Sequence, residues 1–123
     1  MSKILISINP EYVEKILDGS KRYEFRKTAC KLPVDEMIIY CTSPVMKVIG
    51  TASVKRILSG IPEDIWTLTK EYAGISKRFF DQYYYGKNLA IAYEITAVKQ
   101  FKKPRDLSYY GINAAPQSFV YVY

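Results

Sequence analysis

The sequence predicts an α+β domain in which short strands of mixed direction curl into a small closed barrel, with helices packed at the ends. Three observations point there. The apolar segments are short, and several alternate in period two as half-buried strands do. Strands and helices do not alternate regularly along the chain, which disfavours a doubly wound parallel sheet. No glycine-rich phosphate loop is present.

The elements follow in order. Lys3 to Ile8 is an apolar run suited to a buried strand. Asn9-Pro10 then opens a helix, with Asn9 as N-cap, Pro10 at the first helical position and Glu11 favouring the positive end. Tyr12, Val13, Ile16 and Leu17 make its apolar face, and Asp18-Gly19 ends it, Gly19 suiting a left-handed position. Lys21 to Arg26 reads as a strand leaving that turn. After a loop over Thr28 to Pro33, Met37 to Cys41 is a strand, ended by Thr42-Ser43-Pro44. Met46 to Val54 is another, and Gly50 inside it marks a bulge, a close backbone approach or a pocket floor. Ser59 to Pro62 reads as a turn, Glu63 to Tyr72 as a helix broken by Ala73-Gly74, and Ser76 as the start of a second helix that stops at Gly86. Leu89 to Phe101 is the longest strand, Lys102 to Gly111 a loop or short helix, and Pro116 to Val122 the last strand.

The length, 123 residues, supports one domain over 1–123 with a real core. An apolar share of 49% predicts a folded chain, and no apolar run is long enough to cross a bilayer. The first residues lead straight into a strand rather than a signal peptide, so a cytoplasmic protein without a membrane partner is expected. The two cysteines, Cys30 and Cys41, lack metal-ligand spacing and read as reduced thiols. With no histidine, Ser-His and Cys-His catalysis are excluded and a zinc enzyme is disfavoured; no cofactor or metal is expected. Any chemistry falls to lysine, carboxylates, tyrosine or hydroxyls. The net charge of +6 gathers around Lys21 to Lys31, Lys47 to Arg56 and Lys99 to Arg105, a balance that suits polyanions and is also common on ordinary soluble proteins. The oligomeric state is not legible.

Gly19, Lys21, Glu24 and Arg26 form the pattern Gly-x-Lys-x-x-Glu-x-Arg, preceded by Ile6-Ser7-Ile8-Asn9-Pro10 with a helix between. With Gly50 and the late Ala115 to Phe119 segment, this resembles the ASCH domain, the activating signal cointegrator homology family. The resemblance implies a PUA-like mixed β-barrel of about five to six strands with flanking helices. It also implies a cleft beside the motif for RNA, a nucleotide or a nucleoside. Members of that family include RNA-binding modules, ribonucleases, and a branch that hydrolyses N4-acetylcytidine with a lysine, a threonine and a glutamate. Lys21 matches that lysine, Glu24 stands at the threonine position, and no glutamate occurs in the stretch Ile75 to Phe79.

These residues define the candidate site. Lys21 is a phosphate contact, a catalytic base if its pKa is depressed, or a solvated turn lysine. Glu24 is a hydrogen-bond acceptor for a base, a general acid/base, or a strand-fixing ion-pair partner. Arg26 grips phosphate or orients Glu24. Tyr40 and Ser43 at the end of the third strand, and Gln117 on the last, are further ligand-binding candidates; Gly19 is structural. Strict alternation puts Lys21, Tyr23 and Phe25 on one face and Arg22, Glu24 and Arg26 on the other. A shared site therefore requires Lys21 to precede regular pleating and swing across the strand end. Tyr23 and Phe25 are expected in the core, and at least one of Tyr83, Tyr84 and Tyr85 at the surface. Three functions follow: an RNA- or nucleotide-binding domain; a metal-independent hydrolase of RNA or a modified nucleoside using Lys21 and Glu24; or a regulatory, protein-interaction domain.

Overall fold

The computed structural model describes residues 1–123. Six strands, β1 (Ser2–Ile8), β2 (Tyr23–Arg26), β3 (Val34–Cys41), β4 (Lys47–Gly60), β5 (Ala90–Arg105) and β6 (Phe119–Val122), form one mixed sheet in the order β2-β5-β4-β3-β1-β6. Three helices, α1 (Pro10–Asp18), α2 (Pro62–Thr69) and α3 (Lys77–Tyr83), pack against it, with 3-10 turns at Lys70–Tyr72 and Leu107–Tyr110. The α+β class is as predicted. No helix is long and apolar enough to cross a membrane.

Strands β1 and β3 are parallel and every other neighbouring pair is antiparallel. The expected barrel is not closed by backbone pairing: β2 and β6 remain as edges. Both are only four residues long. A charged side chain, not ladder hydrogen bonds, bridges the seam between them: Arg26 on β2 reaches the Ser7 carbonyl of β1 and the hydroxyl of Ser118 beside β6. Tyr84, the residue after α3, donates its hydroxyl to the Arg26 carbonyl at 2.8 Å and to the Ile91 carbonyl at 3.3 Å, tying the end of the β2–β5 ladder to that helix.

The main core lies inside the curl. Ile4, Ile6, Met37, Ile39, Ile91 and Tyr93 fill it, and Val13 and Ile16 of α1 close one end. A second cluster backs the motif strand, with Phe80 at its centre. Its ring lies 5.2 Å from Phe25, 5.0 Å from Trp66 and 4.8 Å from Tyr84, tilted or edge-on in each case. Each such pair contributes about 0.5–1.5 kcal/mol beyond area burial. Phe25 is thus core, as its alternation predicts, and Tyr23 is half-buried against the same cluster.

Several boundaries differ from expectation. Strand β4 runs on to Gly60, where a turn was expected, because Ile57 to Gly60 pair with Tyr93 to Ala90 and helix α2 follows at once from Pro62. Strand β5 runs on to Arg105 and carries Pro104, which is tolerated where pairing is irregular: Gly50 faces Gln100 while Val48 faces Arg105. The last strand starts at Phe119, leaving Gln117 on the segment before it. Asn9 occupies the N-cap, but its side chain makes no capping bond and instead accepts from the Thr42 hydroxyl. Ser76 does cap α3, accepting from the Phe79 amide at 3.1 Å.

Gly50 sits at one of the register shifts between β4 and β5. A Cβ there would overlap the backbone carbonyl of Lys99, so the glycine marks a close backbone approach, one of the roles its sequence position suggests. Gly50→Ala is expected to destabilise the fold by about 1–3 kcal/mol, since backbone must move to admit it. Urea denaturation reads the loss, and an unchanged midpoint would show that the two strands are not held together rigidly here.

Candidate functional site

The end of α1 sets the position of Lys21. Gly19 takes a left-handed conformation at φ 84°, Asp18 accepts from the Ser20 amide, and the Lys21 amide donates back to the Lys15 carbonyl at 3.0 Å. Regular pleating begins only at Tyr23. Lys21 is therefore free of the alternation and lies on the same side as Glu24 and Arg26. Arg22, which alternation places beside Glu24 and Arg26, instead turns outward and stacks on Tyr72 at 3.9 Å. The charged row is Lys21, Glu24, Arg26.

Lys21 is 2% exposed and Glu24 8%. The Lys21 ammonium donates to the Ala73 carbonyl at 2.7 Å, lies 3.9 Å from Glu24 Oε1, and sits 5.0 Å from the ring centre of Phe25 and 5.5 Å from that of Tyr12. Burial lowers its pKa to about 8; the Glu24 carboxylate opposes the shift, and Lys15 and Arg26 add to it. Glu24 Oε2 accepts from Arg26 Nη2 at 2.7 Å. The same nitrogen donates to the Ser7 carbonyl at 2.9 Å, while Nη1 makes a long contact, 3.4 Å, with Ser118 Oγ. Arg26 Nε is buried without a partner.

The segment between α2 and α3 completes the corner. Three successive carbonyls are used: Tyr72 accepts from the Arg22 amide, Ala73 from Lys21 Nζ, and Gly74 from Lys15 Nζ. Gly74 has φ 69°, and a Cβ there would come within 2.5 Å of Lys21 Cβ. The glycine lets the segment close over the lysine stem. In the sequence Gly74 reads only as a helix breaker.

All three charged side chains line one cavity of about 410 Å³, set in the seam of the sheet. Tyr40, Ser43 and Gln117 line it too, although Gln117 does so from an irregular segment rather than a strand. Gly19 does not; it shapes the turn. Sequence reasoning missed Ser7, Asn9, Tyr12, Ile75 and Phe79 as lining residues. A hydroxyl in the apolar run of β1 was the one available signal for Ser7. Tyr12 and Phe79 are apolar-face residues in their helices, and only packing shows that they wall a cavity. Of the three adjacent tyrosines, Tyr84 is buried, Tyr83 is half-buried and lines the cavity, and Tyr85 is 88% exposed. No group of three or more His, Cys, Asp or Glu side chains is placed to hold a metal ion.

The sequence model of the ASCH domain matches residues 6–105. Two proteins of Ureaplasma parvum, named ATP synthase subunit alpha and large ribosomal subunit protein uL22, are 31% and 32% identical over 120 residues, which is 97% of this chain. The chain spans only 15% and 39% of their respective lengths. An ASCH domain-containing ribonuclease of Zymomonas mobilis is 31% identical over 93 residues, 72% of this chain and 61% of its own length. Among solved structures, that of an ASCH protein from Zymomonas mobilis superposes with a TM-score of 0.88 at 28% identity, covering 98% of this chain and 87% of that one. With the family's sequence model spanning most of its length, including the whole Lys21–Glu24–Arg26 corner, this chain belongs to the ASCH domain family.

Proposed function

We propose that the protein binds single-stranded RNA, holding one nucleotide in the cavity, and that residues 1–123 act as one unit in doing so. The observation that carries this reading is the convergence of Lys21, Glu24 and Arg26 on a nucleotide-sized space walled by aromatic rings. Arg26, whose side chain lines the cavity, suits a phosphate or ribose oxygen. Glu24 suits an exocyclic amine, and Tyr12, Phe79 and Tyr83 offer faces to a base. A relative named as a ribonuclease supports RNA as the ligand. A match of nearly the whole chain within a small part of a much longer protein supports its acting as a unit.

A second reading, cleavage of the bound strand, is favoured by the state of Lys21. A lysine with a pKa of about 8 is unprotonated for roughly a tenth of the time at pH 7. Its neutral amine takes the proton of a 2′-hydroxyl. The 2′-oxygen attacks the adjacent phosphorus and the bond to the 5′-oxygen breaks, leaving a 2′,3′-cyclic phosphate. A proton from the new ammonium, relayed through water, restores the 5′-hydroxyl, and Arg26 offsets charge on the non-bridging oxygens. Amide hydrolysis of a modified nucleoside fits less well: Ile75 and Phe79 make that wall apolar, and no carboxylate stands there. A purely protein-interacting role leaves the concave charged site at Lys21 without a use.

In fluorescence anisotropy with labelled oligouridylate, Arg26→Gln and Lys21→Met should each weaken binding about tenfold or more, as expected when a charge-assisted hydrogen bond is removed. Affinities matching the parent protein in both variants would remove the cavity from RNA binding. If cleavage occurs, its rate should rise with pH through an inflection near 8 and disappear in Lys21→Met. Glu24→Gln keeps the shape but not the charge, and an undiminished rate there would rule out Glu24 as a proton carrier.

The same ionisation should appear in stability. The folded pKa of Lys21 lies below its unfolded 10.5, so between about 8 and 10.5 the unfolded chain binds more protons. Stability attributable to Lys21 therefore rises with pH across that window and is lowest below it. Denaturation followed from pH 7 to 10 should show this rise relative to Lys21→Met; parallel profiles would contradict it. Buried Tyr84 and Tyr93, whose pKa values are raised by desolvation, act in the opposite direction only above the ordinary phenol range.

A further inference from the structure

We propose that a basic, aromatic arch at the end of β5 tracks the backbone of the RNA strand as it leaves the cavity. This extends the RNA reading of that cavity and rests on it. From Gln100 to Arg105, β5 advances five residues while its partner β4 advances only from Gly50 to Val48. The excess residues bow outward and present Lys102 and Lys103, both exposed, to solvent. Neither makes an ion pair, and Asp106, the acid in the same depression, is already paired with Lys47. The cationic charge on the arch is uncompensated.

Arg105 is held in place rather than solvated freely. Its guanidinium lies 4.0 Å from the ring centre of Phe101 and 4.4 Å from that of Tyr109, and Nη1 donates to the Tyr110 hydroxyl at 3.0 Å. Tyr109 is 66% exposed, which leaves ring surface available to a base. Fixed guanidinium, free lysines and an open aromatic ring make the combination that serves single strands without regard to sequence.

The arch adjoins the cavity. Tyr40 lines the cavity and also belongs to the small core on which Phe101, Leu107 and Tyr110 pack, so one buried side chain backs both surfaces. Met46 lines the cavity, and the next residue, Lys47, is the partner of Asp106 in the second depression. A strand leaving past Ser43 and Met46 meets Lys47 and then Arg105. An anionic membrane would use the same lysines, but within the depression itself Tyr109 is the one large, strongly exposed apolar side chain to insert among lipids.

Binding of a uridylate dinucleotide and of an oligomer of about twelve nucleotides, both measured across a salt series, separates the outcomes. In the protein carrying Lys102→Ala with Lys103→Ala, dinucleotide affinity should be unchanged. Affinity for the long oligomer should fall, and its dependence of log K on log salt should flatten by about 0.7 for each phosphate left without its lysine. Arg105→Gln should weaken the long oligomer in the same selective way. Equal losses for both lengths, or no loss for the long one, would overturn the proposal. So would losses confined to binding of phosphatidylserine vesicles. Lys21→Met serves as the control for the cavity and should weaken both lengths. If it weakens neither while the paired lysine substitutions still weaken the long oligomer, the arch binds RNA by itself. The cavity reading then fails, and with it the continuous track.

Discussion

An ammonium group removed from water dictates how the rest of the site is built. Taking a charge of that size out of water costs several kcal/mol even after relaxation. At Lys21 the opposing contributions are a carbonyl acceptor on Ala73, a carboxylate nearly 4 Å away and two aromatic faces. A hydrogen bond to a charged group contributes about 1.5–3 kcal/mol, and a desolvated cation–π contact about 2. Desolvation still wins, since it is the leading cause of the lowered pKa. The fold therefore holds a lysine that gives up its proton readily.

Local features that look independent serve that one placement. The left-handed Gly19 turn lifts Lys21 out of strand alternation, and Gly74 lets the α2–α3 segment approach its stem. Phe80 and its ring neighbours then hold α3 and β2 together, so that Phe25 is fixed beneath the ammonium. Glu24 contacts both cations, but the short bond goes to Arg26. That arrangement leaves Lys21 only weakly neutralised.

The incomplete closure of the sheet is the second determinant. Had β2 paired with β6, the seam would be filled by backbone hydrogen bonds and no cavity would open there. Instead Arg26 spans it, with one donor committed to Ser7 and another to Glu24. The side chain that joins the edges of the sheet thus also lines the cavity.

Much of this was legible from residues. Short apolar runs located β1 and β3, which are buried on both faces, and helical periodicity located α1 and α3, with Pro, Ser or Gly as punctuation. The Gly-x-Lys-x-x-Glu-x-Arg pattern identified the charged trio, and the glycine suggested how Lys21 could escape alternation. What depends on partners distant in sequence was settled by packing. The use of the Ala73 carbonyl, Gly74 as a close approach, and Tyr12 and Phe79 as cavity walls all arise where α1, β2 and the α2–α3 segment meet. The long run of β4 and β5 past their expected ends came from pairing with each other, which overrode turn residues such as Gly60 and Pro104. Residue identity alone settles which positions can carry charge. Which of those charges lose their water is settled in three dimensions, because desolvation is imposed by neighbours that local sequence does not name.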